Sequence, residues 1–114
     1  MGACSFTVIV FGKDIEDAFR NAQDQARSEN GHRQGYSGDI QTKHNWVDVT
    51  GQVGMYQMYE KIGCLISEDP KFMDRDGPAG AVVLSGKRAK EWREKYGMTG
   101  KRGKVVCFFG MARS

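Results

Sequence analysis

Hydrophobic residues are concentrated in three short runs that predict β-strands. The runs are rich in β-branched and aromatic residues, and they cover residues 5–11, 79–84 and 104–111. The last two are apolar on both faces, which is typical of strands inside a sheet. The first run is followed by Gly12, and we expect it to be buried on at least one face.

Apolar residues at helical spacing predict three helices, which cover residues 14–30, 53–67 and 87–96. The apolar positions are Ile15, Ala18, Phe19, Ala22 and Ala26 in the first helix, Met55, Met58, Tyr59, Ile62, Leu65 and Ile66 in the second, and Ala89, Trp92 and Tyr96 in the third. Asp14 and Ser85 are suited to cap helix N-termini, and Gly31 and Gly97 to end helices. The narrow, small-residue face of the first helix predicts close packing against a sheet.

The segment 36–50 has two interpretations. Two short strands, 36–42 and 46–50, would form a hairpin around Lys43-His44-Asn45, because asparagine tolerates the left-handed backbone of a tight turn. One long strand over the same residues is the alternative. The segment 69–78 is expected to be a loop, since Asp69-Pro70 and Gly77-Pro78 disfavour a continuing helix.

These elements predict one α+β domain over residues 1–114. We expect a mixed or mainly antiparallel sheet of four to five strands with two to three helices packed on one face. The predicted core is a single cluster, which comprises Phe6, Val8, Val10, Phe19, Ile62, Val82, Val83, Val106 and Phe108.

Composition is that of an ordinary globular protein, with 39% hydrophobic and 27% charged residues. No apolar run approaches the ~20 residues of a membrane span, and the N-terminus lacks the pattern of a signal peptide, so we expect a cytoplasmic protein without a membrane partner. The three cysteines lack C-x-x-C spacing, which argues against a disulfide framework or a zinc site. Cys64 and Cys107 are expected to be buried, reduced thiols.

The net charge of +3 hides an asymmetry. Residues 87–104 contain eight basic residues against Glu91 and Glu94, so this segment carries +6 and the rest of the chain −3. The basic residues are Lys87, Arg88, Lys90, Arg93, Lys95, Lys101, Arg102 and Lys104. Such a segment attracts nucleic acid, phosphorylated ligands or acidic protein surfaces. A solvated helix face followed by a solvated loop is the structural alternative.

A glycine-rich stretch, 31–40, gathers the side chains best suited to chemistry. The candidates are His32, Arg33, Tyr36, Ser37 and Asp39. His32 with Asp39 has the residue types of a general base pair, while a C-terminal helix contact for His32 and turn contacts for Ser37 and Asp39 are the structural alternatives. No P-loop or dinucleotide fingerprint is present, and the two histidines lack metal-site spacing. We predict no cofactor and no metal.

Four short phrases resemble a group of small uncharacterised proteins encoded by tailed phages and prophages. They are D-A-F-R-N-A from Asp17, G-Y-S-G-D-I from Gly35 with Gly31-His32 before it, D-G-P-A-G from Asp76 and F-F-G-M-A from Phe108. The resemblance implies a viral accessory protein in the host cytoplasm and assigns no activity. The chain departs from the group at Lys43-His44-Asn45-Trp46, where a small polar turn is expected.

Three functions follow as hypotheses. The first is a non-catalytic binding protein that blocks or sequesters a host component, either a protein or a nucleotide signal. The second is nucleic-acid binding through the basic segment 87–104, and the third is a small hydrolase using His32 and Asp39. The predicted ligand-binding residues are His32, Arg33, Tyr36, Ser37, Asp39, Arg88, Arg93, Lys101 and Arg102. Homodimer formation is compatible with each hypothesis.

Overall fold

The computed structural model describes residues 3–30 and 39–113. Along the chain the elements are β1 (Ala3–Gly12), α1 (Ile15–Asn30), a 3-10 turn (Ile40–Thr42), β2 (Trp46–Asp48), α2 (Thr50–Val53), α3 (Met58–Glu68), α4 (Pro70–Met73), β3 (Ala79–Val83), α5 (Gly86–Lys95) and β4 (Lys104–Arg113). None of the helices in these two stretches is both long enough and apolar enough to cross a membrane.

The strands form one mixed sheet in the order β1-β4-β3-β2. β4 pairs antiparallel with β1 and with β3, so that Phe108 lies opposite Val8 on one side and Ala81 on the other. β2 pairs parallel with β3, with Val47 opposite Gly80. The predicted α+β class and the interior positions of β3 and β4 are therefore confirmed. β1 is an edge strand.

Helices cover both faces of the sheet, which corrects the expectation that they pack on one face. α1 packs with Val106 and Phe108 of β4 on the first face. Residues of α2, α3, α4 and α5 pack with Val105, Cys107 and Phe109 on the second face. Because successive residues of a strand point to opposite faces, a strand that is apolar on both sides needs cover on both.

The predicted core residues consequently divide between two clusters instead of forming one. Ile62 and Val82 belong to the second face, whereas the other seven pack on the α1 side. Six of the nine are buried, and Phe6, Val8 and Val83 are half-buried.

Local chemistry explains why α1 lies so close to the sheet. The Asp14 carboxylate accepts a hydrogen bond from the backbone N–H of Asp17 at 2.8 Å, which caps the helix as predicted. A Cβ at Gly12 would lie 2.3 Å from the backbone nitrogen of Ala18, so only glycine allows this approach. Ala18 and Ala22, on the small-residue face of α1, are fully buried.

The predicted strand over 36–42 is wrong where the structure describes it. Ile40–Thr42 form a 3-10 turn, because Asp39 caps it by accepting a hydrogen bond from the Gln41 N–H at 2.8 Å. Residues 36–38 lie outside the described part of the chain. Within residues 39–50 neither a hairpin nor one long strand is formed, since the predicted strand 46–50 is the three-residue β2, which pairs with β3.

The predicted second helix, 53–67, is confirmed only from Met58 onward as α3, and its first residue belongs to the separate short helix α2. The backbone takes positive φ at Gly54 (66°) and Gln57 (54°), which separates α2 from α3. The predicted loop 69–78 contains the short helix α4, which begins at Pro70 after the cap residue Asp69.

The thiols are only partly as predicted. Cys107 is buried in β4, but Cys64 is exposed, as is Cys4. Cys64 lies on the solvent side of α3, because Met58 and Ile62 form the buried stripe of that helix.

Candidate functional site

Asp39 is the one candidate of the glycine-rich stretch that lies within the described residues. Its two carboxylate oxygens accept hydrogen bonds from Gln41, from the backbone N–H at 2.8 Å and from Nε2 at 3.3 Å. Its observed contacts therefore make it a turn cap. His32, Arg33, Tyr36 and Ser37 lie outside the described residues, so the proposed His32–Asp39 base pair stays a prediction.

A buried lysine anchors the segment that follows this cap. Lys43 is 3% exposed, and its Nζ donates hydrogen bonds to the backbone carbonyls of Arg75 at 3.2 Å and Gly77 at 2.9 Å. Burial lowers the pKa of Lys43, while the negative charges of Asp74 and Asp76 act in the opposite direction. Lys43 thus ties the 3-10 turn to the loop before β3.

A polar cavity of about 340 Å³ lies beside this anchor and includes His44, Arg75, Asp76 and Arg113 in its wall. Arg113 Nε donates a hydrogen bond to the Asp76 carboxylate, which lowers the pKa of Asp76. Across residues 3–30 and 39–113, no group of three or more His, Cys, Asp or Glu residues is placed to hold a metal ion. The cavity is therefore a charged corner in which Asp76 orients Arg113.

Two of the predicted ligand-binding arginines contact the protein itself. Arg93, on α5, donates to the carbonyl oxygens of Met98 at 3.3 Å, Lys101 at 2.7 Å and Gly103 at 2.8 Å. Its guanidinium also lies 5.2 Å from the ring centroid of Phe11. These contacts fold the 97–103 connection back onto α5, which is a structural role.

Arg88 has a similar arrangement one turn earlier. Its Nε donates to the carbonyl oxygen of Met55 at 3.0 Å, and its guanidinium lies 5.5 Å from the ring centroid of Tyr59. Arg88 thereby links α5 to the connection between α2 and α3. Tyr59 was predicted to lie on a core stripe, but half of its surface is exposed.

The remaining basic residues fall into two groups. On the solvent face of α5, Lys87 and Lys90 are interspersed with Glu91 and Glu94, and Lys87 pairs with Glu91 at 3.9 Å. That face has little excess charge. We define the basic turn as Lys101, Arg102 and Lys104, which are all exposed.

The basic turn carries the concentrated positive charge of the segment. Together with the exposed Lys95 at the end of α5, its members form no ion pair with any residue that the structure describes. No acidic residue occurs between Lys95 and Lys104 in the sequence.

A groove runs along the open edge of β1, between α1 and α5, and we call it the edge groove. It consists of two adjoining cavities of about 490 and 540 Å³. Its lining includes Ile9, Gln25, Trp92 and Tyr96 in both cavities, with Phe11, Asn21 and Lys101 at one end and Thr7, Tyr59 and Lys95 at the other.

Two aromatic rings form one wall of the edge groove. The Trp92 and Tyr96 ring centroids are 4.7 Å apart with an angle of 33° between the ring planes. Tyr96 is 54% exposed, and the Lys95 Nζ lies 5.4 Å from its centroid. The sequence pattern identified both rings as an apolar stripe, but their position beside a sheet edge depends on the strand order.

The opposite wall is polar and comes from α1. Asn21 Nδ2 donates a hydrogen bond to the carbonyl oxygen of Phe11 at 2.9 Å, and Gln25 Nε2 donates to Glu29 at 3.2 Å. The groove therefore combines aromatic rings, side-chain amides and lysines, which can together contact a planar ring with an anionic group attached.

Comparison of the chain with protein-family models, with curated proteins and with solved structures finds no match. The resemblance to small phage-encoded proteins stays a prediction.

Proposed function

We propose that this is a non-catalytic binding protein that takes up a ligand with an aromatic base and a phosphate. The ligand lies at the end of the edge groove formed by Phe11, Trp92, Tyr96 and Lys101. The observation that carries the proposal is the exposed Tyr96 ring, stacked on Trp92, next to the only part of the basic segment without interspersed acidic residues.

Each wall contributes a different interaction. Stacking of a base on an aromatic side chain contributes about 1–3 kcal/mol and tolerates any base. Lys95 and the basic turn supply the positive charge that a phosphate needs, and the arginine of the turn can bind it through two N–H groups. The amides of Asn21 and Gln25 lie where the edge of a base could meet them. Uptake by these contacts requires no bond to be broken.

The resemblance to phage proteins supports a role in the host cytoplasm. On that basis we propose that the ligand is a host component and that binding sequesters it. A nucleotide signal fits the size of one cavity, about 490 Å³. Single-stranded nucleic acid is the second candidate, favoured by the exposed Tyr96 ring and the unpaired charge of the basic turn.

The experiment compares two double variants that remove the same charge. Binding of nucleoside mono- and triphosphates, cyclic dinucleotides, single-stranded DNA, single-stranded RNA and duplex DNA is measured by calorimetry and fluorescence anisotropy at low salt. Lys101→Ala with Arg102→Ala should weaken binding on the order of 100-fold, because each of the two lost charged contacts contributes on the order of 1.5 kcal/mol. Lys87→Ala with Lys90→Ala should leave affinity nearly unchanged.

The ligand panel separates the two candidates. A nucleotide signal gives a saturable 1:1 complex with one compound, whereas nucleic acid gives affinity that rises with strand length and falls steeply with salt. For a single strand, the slope of log K against log salt concentration should be shallower by about 1.4 in the Lys101→Ala, Arg102→Ala variant, because two phosphate contacts are lost. Equal losses in both double variants, or no binding to any compound, would refute the proposal and leave a host protein as the partner to be sought.

A further inference from the structure

Within residues 3–30 and 39–113, the free edge of β1 lacks the charges and prolines that commonly protect a sheet edge. β1 is ten residues long, contains no charged residue and no proline, and pairs through one side only within the described part of the chain. Phe6, Val8 and Ile9 are only half-buried. Long, apolar edge strands tend to pair with another strand, and soluble proteins usually block them with charges, prolines or bulges.

One hydrogen bond indicates which backbone groups face outward. The Phe11 carbonyl accepts its hydrogen bond from Asn21, on the groove side of the strand. Alternate residues of a strand in an antiparallel pair direct their N–H and C=O groups to the same side. We therefore assign Ala3, Ser5, Thr7 and Ile9 to the outward side as well. Because the Phe11 carbonyl already accepts a hydrogen bond from Asn21, the stretch that can pair with another strand is residues 3–9.

We propose that a second copy of the chain pairs antiparallel with residues 3–9, which joins the two four-stranded sheets into one of eight strands. A two-fold axis at the centre of this stretch passes beside Phe6. It places Phe6 opposite its own copy, Ser5 opposite Thr7 of the second copy, and Cys4 opposite Val8 of the second copy. Four outward-facing residues on each strand can form up to about eight backbone hydrogen bonds.

The chemistry of the strand favours a second copy over an acidic or basic peptide. A two-fold contact sets the strand against an identical strand, so a strand that carried charges of one sign would repel its copy. β1 is uncharged along its whole length, which removes that penalty and offers a charged peptide no ion pair on the strand itself. The Phe6 rings meet at a closely spaced position of the ladder, where aromatic pairs are favourable.

This interface meets the proposed ligand site at Ile9, which lines both cavities of the edge groove. A second copy on residues 3–9 occupies the end of the groove at Thr7, whereas the ligand site is built around Phe11, Tyr96 and Lys101 at the other end. The Lys101→Ala, Arg102→Ala variant should therefore keep the same mass in solution. Failure of ligand binding and failure of dimer formation can be distinguished.

The first test is the mass in solution of the purified protein, measured by light scattering and sedimentation. The wild-type chain should have twice its 12.7 kDa mass at tens of micromolar. Thr7→Pro removes an outward N–H without affecting the ladder to β4, so it should give a folded monomer. Thr7→Val, which keeps the N–H and a β-branched side chain, should remain dimeric. A monomeric wild type, or a dimer that survives Thr7→Pro, would overturn the proposal.

The second test does not depend on how well Thr7→Pro folds. Cys4 and residue 8 of the second copy should have Cα atoms about 4.5 Å apart, within the range that a disulfide needs. Val8→Cys should thus form a covalent dimer under mild oxidation, through Cys4. The same substitution with Cys4→Ser should not form this dimer. Absence of cross-linking in Val8→Cys, or equal cross-linking in both variants, would contradict the proposed pairing.

Discussion

Replacement of Arg93 should destabilise the protein far more than replacement of any of the three basic residues between 101 and 104. Arg93→Ala removes three hydrogen bonds to backbone carbonyls and the contact with the Phe11 ring. These bonds hold the 97–103 connection against α5. We expect the variant to fold, with this connection released.

The magnitude follows from the number and exposure of the contacts. A hydrogen bond to a charged group contributes about 1.5–3 kcal/mol, and an exposed cation–π contact about 0.5–1 kcal/mol. The bonds to Met98 and Gly103 are partly buried, but the shortest, to Lys101, is exposed. Water can replace Arg93 at the exposed carbonyl. The net loss in the free energy of unfolding should therefore be about 2–4 kcal/mol, less than the sum.

Urea unfolding measured by circular dichroism tests this prediction. A loss of about 2–4 kcal/mol lowers the melting temperature of a domain of this size by about 8–16 °C. Arg102→Ala is the matched control, since it removes the same side chain from an exposed position of the same connection and should cost less than about 0.5 kcal/mol. Arg93→Lys keeps the charge but not the planar fork, so it should recover less than half of the loss. Equal stability of Arg93→Ala and Arg102→Ala would refute this account of α5.

Two further predictions concern titratable groups. Burial raises the pKa of the Cys107 thiol to about 12, so native protein should react with a thiol reagent at two cysteines, Cys4 and Cys64, and at the third only after unfolding. Hydrogen bonds from the side chain and backbone of Thr50 lower the pKa of Asp48. The contribution of Asp48 to stability is therefore present above its unfolded pKa near 3.8 and is lost as the pH falls through its folded pKa. Asp48→Asn should consequently make the free energy of unfolding fall less steeply as the pH is lowered.

Much of the sheet could be predicted from periodicity because its strands have local signatures. β3 and β4 are apolar on both faces, and this pattern alone indicated their interior positions. α1 was equally clear, since its cap, its small-residue stripe and its end are encoded within one stretch of sequence. In each case the decisive interactions are local or depend on side-chain periodicity.

The segment 39–57 was harder because long-range contacts determine its conformation. Lys43 bonds to carbonyls more than thirty residues away, and β2 finds its partner in β3 across a comparable distance in sequence. The left-handed backbone of Gln57 has no sequence signature, since the residue is neither glycine nor asparagine. No pattern of neighbouring residues reports such contacts.

The candidate site was predicted in composition but not in geometry. Counting charges identified the segment 87–104, yet it did not reveal that Arg88 and Arg93 bond to backbone carbonyls. A signal was present for Arg93, because it follows Trp92 directly and helical geometry places it at the border of the apolar stripe of α5. The edge groove depends on β1 being an edge strand, which requires the strand order of the whole sheet.

Emission from Trp92 tests the central claim most directly. The chain has two tryptophans, so Trp46→Phe leaves Trp92 as the single reporter, within the proposed ligand site. Addition of the tightest-binding nucleotide or single strand should quench this emission with the same midpoint as calorimetric binding. Introducing Tyr96→Ala into the Trp46→Phe variant should weaken the affinity measured by quenching and by calorimetry by about 5–150-fold. Tight binding that leaves Trp92 emission unchanged, with affinity unaffected by Tyr96→Ala, would show that the ligand binds elsewhere and contradict the account.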